Sequence, residues 1–192
     1  MRLYKAHVLS YIESGTPGYF HGSVSVLACV DRVQRRLLRE VGISEEQALL
    51  NFRLAPLHTR RCMAILGFLH RVVLGKVSAQ IALLFPRTER QERRDFIGHR
   101  VRGFEARHDK QLHDRISTSS TDQFKRSIFG MIPCYNALPQ EFVDISSIKA
   151  FQKKLQTSLI HQARSGHISW QDVFSDGRRH ASLLRFQSFF QV

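Results

Sequence analysis

Few of this chain's reactive residues have the types and spacing that catalysis needs, whereas many have the types that hold phosphate. His58 and Cys62 stand four residues apart, a spacing that puts two possible zinc ligands on one helical face. No second pair with ligand spacing lies near them, and His99, His108 and His113 are scattered among basic residues that repel a cation. Cys62, His70 and an acid can be drawn as a nucleophilic triad, but no elbow motif surrounds any serine or cysteine. There is no glycine-rich phosphate loop. Glu89, Glu92 and Asp95 have helical spacing, yet Arg90, Arg93 and Arg94 interleave them, the pattern of a solvated face. A two-metal polymerase site needs clustered carboxylates, and no two aspartates are adjacent in this sequence. The expectation is no catalytic residue, no metal site and no cofactor.

The cations are arranged differently. Arg32, Arg35, Arg36 and Arg39 fall on one side of the stretch SVLACVDRVQRRLLREVG at 3.6 residues per turn, and Val26, Val30, Val33, Leu37 and Val41 on the other. A second helix starting near Pro56 opens with Arg60 and Arg61, carries Arg71, and is followed by Lys76. Guanidinium forks match phosphate oxygens and position a protein on a strand without reading its sequence. These eight side chains are the candidate nucleic-acid-binding set. For Arg60 and Arg61 a structural alternative stands beside that role, pairing with Glu45, Glu46 or helix ends. For the Arg32–Arg39 stripe that alternative is weaker, with Glu40 the acid considered in the same helix.

The elements that carry these residues are mostly helices. Met1 to Ser14 reads as a helix with an apolar stripe of Leu3, Val8, Leu9 and Ile12, broken by GTPG at 15–18. Ser23 or Ser25 caps the arginine helix, which ends at Gly42. SEEQ at 44–47 is a capping box for a short helix through Phe52. Leu57 to Gly75 forms the next helix, and Ser78 to Phe85 a short one closed by Pro86. Residues 87 to 120 are dense in charge, with HRVRGFEAR as a candidate ribbon and STSST as a loop. Phe124 to Tyr135 suggests a helix interrupted or kinked at Pro133, followed by a turn at LPQ. Ser146 or Ser147 caps a helix ending near Gly166. Its residues Phe151, Leu155 and Leu159 face the core and Lys149, Lys153 and Lys154 face solvent. Trp170 to Phe174 is a short segment, and Arg178 to Phe190 a possible last helix. The fold class is mainly α: a bundle of amphipathic helices with a charged, poorly ordered central segment. Three regions follow: a helical one over 1–86, a charged linker or ribbon over 87–121, and a second helical one over 122–192.

An apolar content of 43% across 192 residues supports a real core. With 29 basic and 16 acidic residues the net charge is +13, and the pI near 10.5 exceeds the rough value of about 9 that flags nucleic-acid binders. A basic protein with a merely solvated cationic surface is the plain alternative. Three widely spaced cysteines make no disulfide framework and suit a reducing, intracellular compartment, nuclear or cytoplasmic. No apolar run approaches the roughly 20 residues a membrane crossing needs. The N-terminus has no acid before Glu13 but lacks a secretory core and cleavage site, so it reads as part of a helix.

Four segments in order carry a resemblance: SYIESGTPGYFH, VDRVQRRLLREVG, LAPLHTRRCMAILGFLHRVVLG and FKRSIFGMIPCYNALPQEFVDISSIKAFQKKL. Together, from about Ser10 to Leu155, they resemble the region downstream of the catalytic palm in reverse transcriptases of non-LTR retrotransposons. Tyr135–Asn136 stands where that family more often has Trp-Asn. The resemblance implies a helical thumb and post-thumb region that grips the RNA template or the RNA–DNA hybrid. It places Arg32, Arg35, Arg36 and Arg39, with Arg60 and Arg61, in that role. The family's catalytic aspartates, fingers, palm, endonuclease and zinc knuckle have no counterpart in these residues. The chain is therefore expected to be a non-catalytic fragment whose partner is the missing palm. It would contribute to RNA-directed DNA polymerisation only as part of a larger protein. The alternative expectation is a degenerate relic with a structural or protein-interaction role.

Overall fold

The structure, a computed structural model, describes residues 1–88, 108–114, 121–166 and 170–174. These residues are mainly helical, with no strand among them beyond one antiparallel bridge between Arg87 and Leu112. The expected ribbon at 99–107, most of the charged central segment and the possible helix after Arg178 lie outside the described residues.

Local signals set most helix ends. The first segment is a π-helical turn, Tyr4–Leu9, continuing into α1 (Ser10–Ser14). GTPG interrupts it for only one residue, because Pro17 fits the first turn of α2 (Thr16–Tyr19). The Ser23 side chain accepts from the Val26 N–H at 3.4 Å to open α3 (Val24–Val41), and Gly42 closes it with φ 72°. The box at α4 (Glu45–Phe52) is complete: Ser44 Oγ accepts from the Gln47 N–H at 3.1 Å, and Gln47 Oε1 from the Ser44 N–H at 2.9 Å. Arg53 ends α4 in the left-handed region at φ 52°, with the Leu54 N–H returning to Ala48 O. α5 (Leu57–Val73) and α6 (Ala79–Leu84) follow.

The helix expected over 124–135, interrupted or kinked at Pro133, is three pieces, and the break falls at Ser127 instead. These are α7 (Asp122–Arg126), a 3-10 turn (Ile128–Met131) and α8 (Ile132–Asn136). Ser127 breaks the run: its backbone is extended, and its Oγ accepts from the Phe129 N–H at 3.3 Å. Pro133 then lies in the first turn of α8, where it interrupts no helical bond. After α9 (Gln140–Val143), Ser147 caps α10 (Ile148–Arg164), and a 3-10 turn spans Trp170–Asp172.

α5 is the axis of the fold and is buried along most of its length. It packs on α10, α3 and α8. A Cβ at Gly67 would lie 2.5 Å from Gln152 Nε2, so the Gln152 side chain of α10 occupies the space that the glycine leaves. Met63, Leu66 and Leu69 share one apolar cluster with Tyr135, Phe142 and Phe151, so residues from 1–86 and from 122–192 build a common core. Phe151, Leu155 and Leu159 are fully buried, and Lys149 and Lys153 are exposed, as the periodicity predicts. Lys154 is only half-exposed. Its Nζ sits 3.1 Å from Glu141 and 4.5 Å above the Phe142 ring.

The two chain ends that flank residues 89–107 are tied to this core. The Thr88 N–H donates to Gln111 O and the His113 N–H to Pro86 O. Asn136 clamps Leu112 both ways, accepting from its N–H at 2.9 Å and donating to its carbonyl at 2.7 Å. A second, smaller cluster of Tyr4, Leu9, Leu38, Ala48, Leu54 and Leu57 docks the N-terminal helix on α3 and α4. Leu9 is buried as the expected stripe has it, but Tyr4, five residues earlier as the π-turn dictates, takes the place of Leu3 and Val8, and Leu3 is 77% exposed.

Candidate nucleic-acid interface

α3 presents its arginines outward. Gln34 and Leu38 are the buried centre of the helix, flanked by half-buried Leu27, Val30, Asp31 and Leu37. At 3.6 residues per turn, Arg32, Arg36 and Arg39 lie roughly opposite that centre and Arg35 lies to one side; all four are exposed. Arg32 to Arg39 spans about 10 Å of helix axis, comparable to roughly three phosphates along one strand of a B-form duplex. Arg36 Nε meets Glu40 Oε1 at 2.9 Å, with the side chains 77% and 63% exposed, a solvent-screened pair that competes weakly with phosphate.

Of the expected apolar face, Val30 and Leu37 are half-buried against the second cluster, but the rest is not. Val26, Val33 and Val41 are about half exposed. The helix is turned by two polar side chains on its inner face. Asp31 receives both Arg61 guanidinium nitrogens, at 2.6 and 3.0 Å, and the Gln34 amide donates to Ala55 O at 3.0 Å. A hydrogen-bonded carboxylate and amide must point inward, which carries Val33 round to the flank.

Two of the eight candidate cations are thus directed into the protein. Arg61 is 5% exposed and held by Asp31. Arg60 is paired with Glu13 of α1. Their partners are not the Glu45 and Glu46 considered from sequence. Glu13, Asp31 and Gln34 are the site residues that sequence reasoning missed. The available signal was that Asp31 and Gln34 interrupt the Leu27–Val30–Leu38 face. Arg71 is exposed near the end of α5, and Lys76 Nζ donates to Ser146 O at 2.8 Å, beside the start of α10. The structure therefore brings Arg32, Arg35, Arg36 and Arg39 together on one helix. Burial, opposed by the neighbouring Arg60 charge, pushes the Tyr4 hydroxyl up to about 12. Burial first, then Arg60 and Arg53, holds the Lys5 ammonium below the usual lysine range while its Nζ donates to Phe52 O.

The residues considered for chemistry have other employment. His58 Nε2 lies 2.9 Å from Gln171 O, and Cys62 is buried. His70 is enclosed in the core, Nδ1 against the Tyr135 hydroxyl at 3.0 Å and Nε2 against Ile145 O at 2.6 Å, with its ring stacked on Phe151. Among the described residues no three His, Cys, Asp or Glu side chains are grouped to hold a metal, and no helix is long and apolar enough to cross a membrane. No family model, curated protein or solved structure matches the chain.

Proposed function

We propose that this chain is a non-catalytic nucleic-acid-binding domain that grips RNA or an RNA–DNA hybrid through the outer face of α3. It would serve a polymerase palm in the manner of the post-palm region of the retrotransposon reverse transcriptases it resembles, in the nucleus or cytoplasm. The observation that supports this reading is the exposure of Arg32, Arg35, Arg36 and Arg39 on one helix. In contrast, Arg60 and Arg61 are drawn into ion pairs with Glu13 and Asp31. Net charge of +13 adds a long-range attraction for phosphate.

Binding to an RNA–DNA hybrid should weaken steeply with salt, by about 0.7–0.9 log units of affinity per log unit of salt for each neutralised phosphate. Arg35→Gln with Arg36→Gln should flatten that slope by about one to two units. Gln34 and Leu38, buried on the opposite face, should keep the variant folded. An unchanged slope in the folded double variant would remove the stripe from the binding surface. A second reading, a relic acting as a protein-interaction domain, draws on the half-exposed Val26 and Val33 beside the stripe. It requires salt-independent capture of a protein and no affinity for nucleic acid.

A further inference from the structure

α10 carries a second cationic face. Its 17 residues include no acid. Lys149, Lys153 and Arg164 are exposed, on the side away from the buried Phe151, Leu155 and Leu159. At 3.6 residues per turn these three fall close to one line along the helix. Lys76 stands beside the helix start, its Nζ donating to Ser146 O at 2.8 Å. The nearby acids are engaged elsewhere. Asp144 Oδ1 accepts from Lys110 and from Gln140, each at 2.8 Å, and Glu141 pairs with Lys154 at 3.1 Å. Among the described residues no carboxylate pairs with Lys76, Lys149, Lys153 or Arg164. Lys149 and Lys153 stand one turn apart, where like charges repel and destabilise a helix. Nothing in the fold relieves that repulsion, whereas a row of phosphates would.

This face is turned away from the arginine stripe. Arg61 reaches toward Asp31 of α3, and the His70 ring stacks on Phe151 of α10. Those two residues are about two and a half turns apart on α5, so they point in opposite directions. α3 and α10 therefore flank α5 on opposite sides, each with its cations outward. At about 8–10 Å per packed pair, their axes lie roughly 16–20 Å apart. A stiff duplex lying on one face cannot also touch the other. We propose that Lys76, Lys149, Lys153 and Arg164 form a second phosphate-binding surface, which takes the backbone of a separate nucleic-acid segment while the arginine stripe holds the first. One chain then bridges two segments. This rests on the nucleic-acid reading above.

The test mixes the full chain with two RNA–DNA hybrids of about 15 base pairs, far shorter than the roughly 150 base pairs over which a duplex bends. One hybrid carries a donor fluorophore and the other an acceptor. Energy transfer should appear when protein is added and fall as salt rises. Lys149→Gln with Lys153→Gln should abolish the transfer. Binding of a single hybrid, read by anisotropy, should then change by no more than about twofold, as for independent sites. Both lysines are exposed and glutamine has a similar helix propensity, so the variant should fold, which circular dichroism checks. If it does not, Lys76→Gln with Arg164→Gln on the same face should weaken the transfer and decides the matter. Transfer that persists in a folded variant would overturn the second surface. One hybrid bound per chain without transfer would overturn it too and leave the stripe standing. No binding of either hybrid would overturn both.

Discussion

Replacing Arg61 with alanine separates a structural arginine from a phosphate-binding one. Both of its terminal nitrogens bond Asp31, at 2.6 and 3.0 Å, and the two side chains are 5% and 19% exposed. Removing the guanidinium strands the Asp31 carboxylate between α3 and α5. Breaking a buried pair from one side costs roughly 3–5 kcal/mol. Asp31 keeps some contact with water, which favours the lower end, about 3 kcal/mol. In a domain of this size each kcal/mol moves Tm by roughly 2–4 °C, so Tm should fall by about 6–12 °C. Removing both charges, with Arg61→Leu and Asp31→Leu, should recover much of the loss, because no lone charge remains. Arg36→Ala is the control. Its pair with Glu40 is solvent-exposed, so stability should change by no more than about 0.5 kcal/mol while the salt slope of hybrid binding falls. Urea denaturation and salt-dependent anisotropy on the same proteins give both quantities. If Arg61→Ala kept its stability and lost salt slope as Arg36→Ala does, the inward assignment of Arg61 would be refuted.

Three further outcomes follow from the core. Phe151→Ala removes a fully buried ring stacked 4.2 Å from His70 and should cost roughly 3–5 kcal/mol by urea titration; a loss within error would mean α10 is not docked. At Gly130 a Cβ would sit 1.9 Å from the Lys125 carbonyl oxygen, so Gly130→Ala should destabilise by about 1–3 kcal/mol or more, and an unchanged melting curve would contradict that close approach. Acid should destabilise the fold through His70 and His108, both held below the ordinary histidine range, chiefly by burial. His108 Nδ1 accepts from the Lys110 N–H at 3.1 Å, so a proton there would set two donors face to face. The unfolded chain protonates first. Their contribution is therefore complete above the unfolded value of about 6.5 and is lost as pH falls through it toward the lower folded values. Asp109, lowered by its bond from Gln140, and Asp144, lowered by Lys110, act only in a more acidic window. Urea midpoints that stay flat from about pH 8 to pH 5 would exclude the histidine effect.

Features decided within a few residues were legible in the sequence. The Ser44–Gln47 box, the Gly42 stop and the Phe151–Leu155–Leu159 face need no partner from elsewhere, because caps and helical faces depend on groups within one or two turns. The outward arginines of α3 were legible for the same reason. Tertiary structure decided which way α3 turns and which cations stay on the surface. Asp31 and Arg61 are 30 residues apart in sequence, and Glu13 and Arg60 are 47 apart. Periodicity carries no term for such a pairing. It therefore treated Val33 as core, and it left Arg60 and Arg61 between the stripe and a pairing with Glu45 or Glu46. The break at Ser127 and the π-turn at Tyr4–Leu9 were hidden likewise, since both exchange regular helical bonds for packing against α5 or α3 and α4. The grouping of Gln34, Glu45, His58 and Gln171 around one cleft is the extreme case, because they come from four separate segments that only tertiary packing brings together.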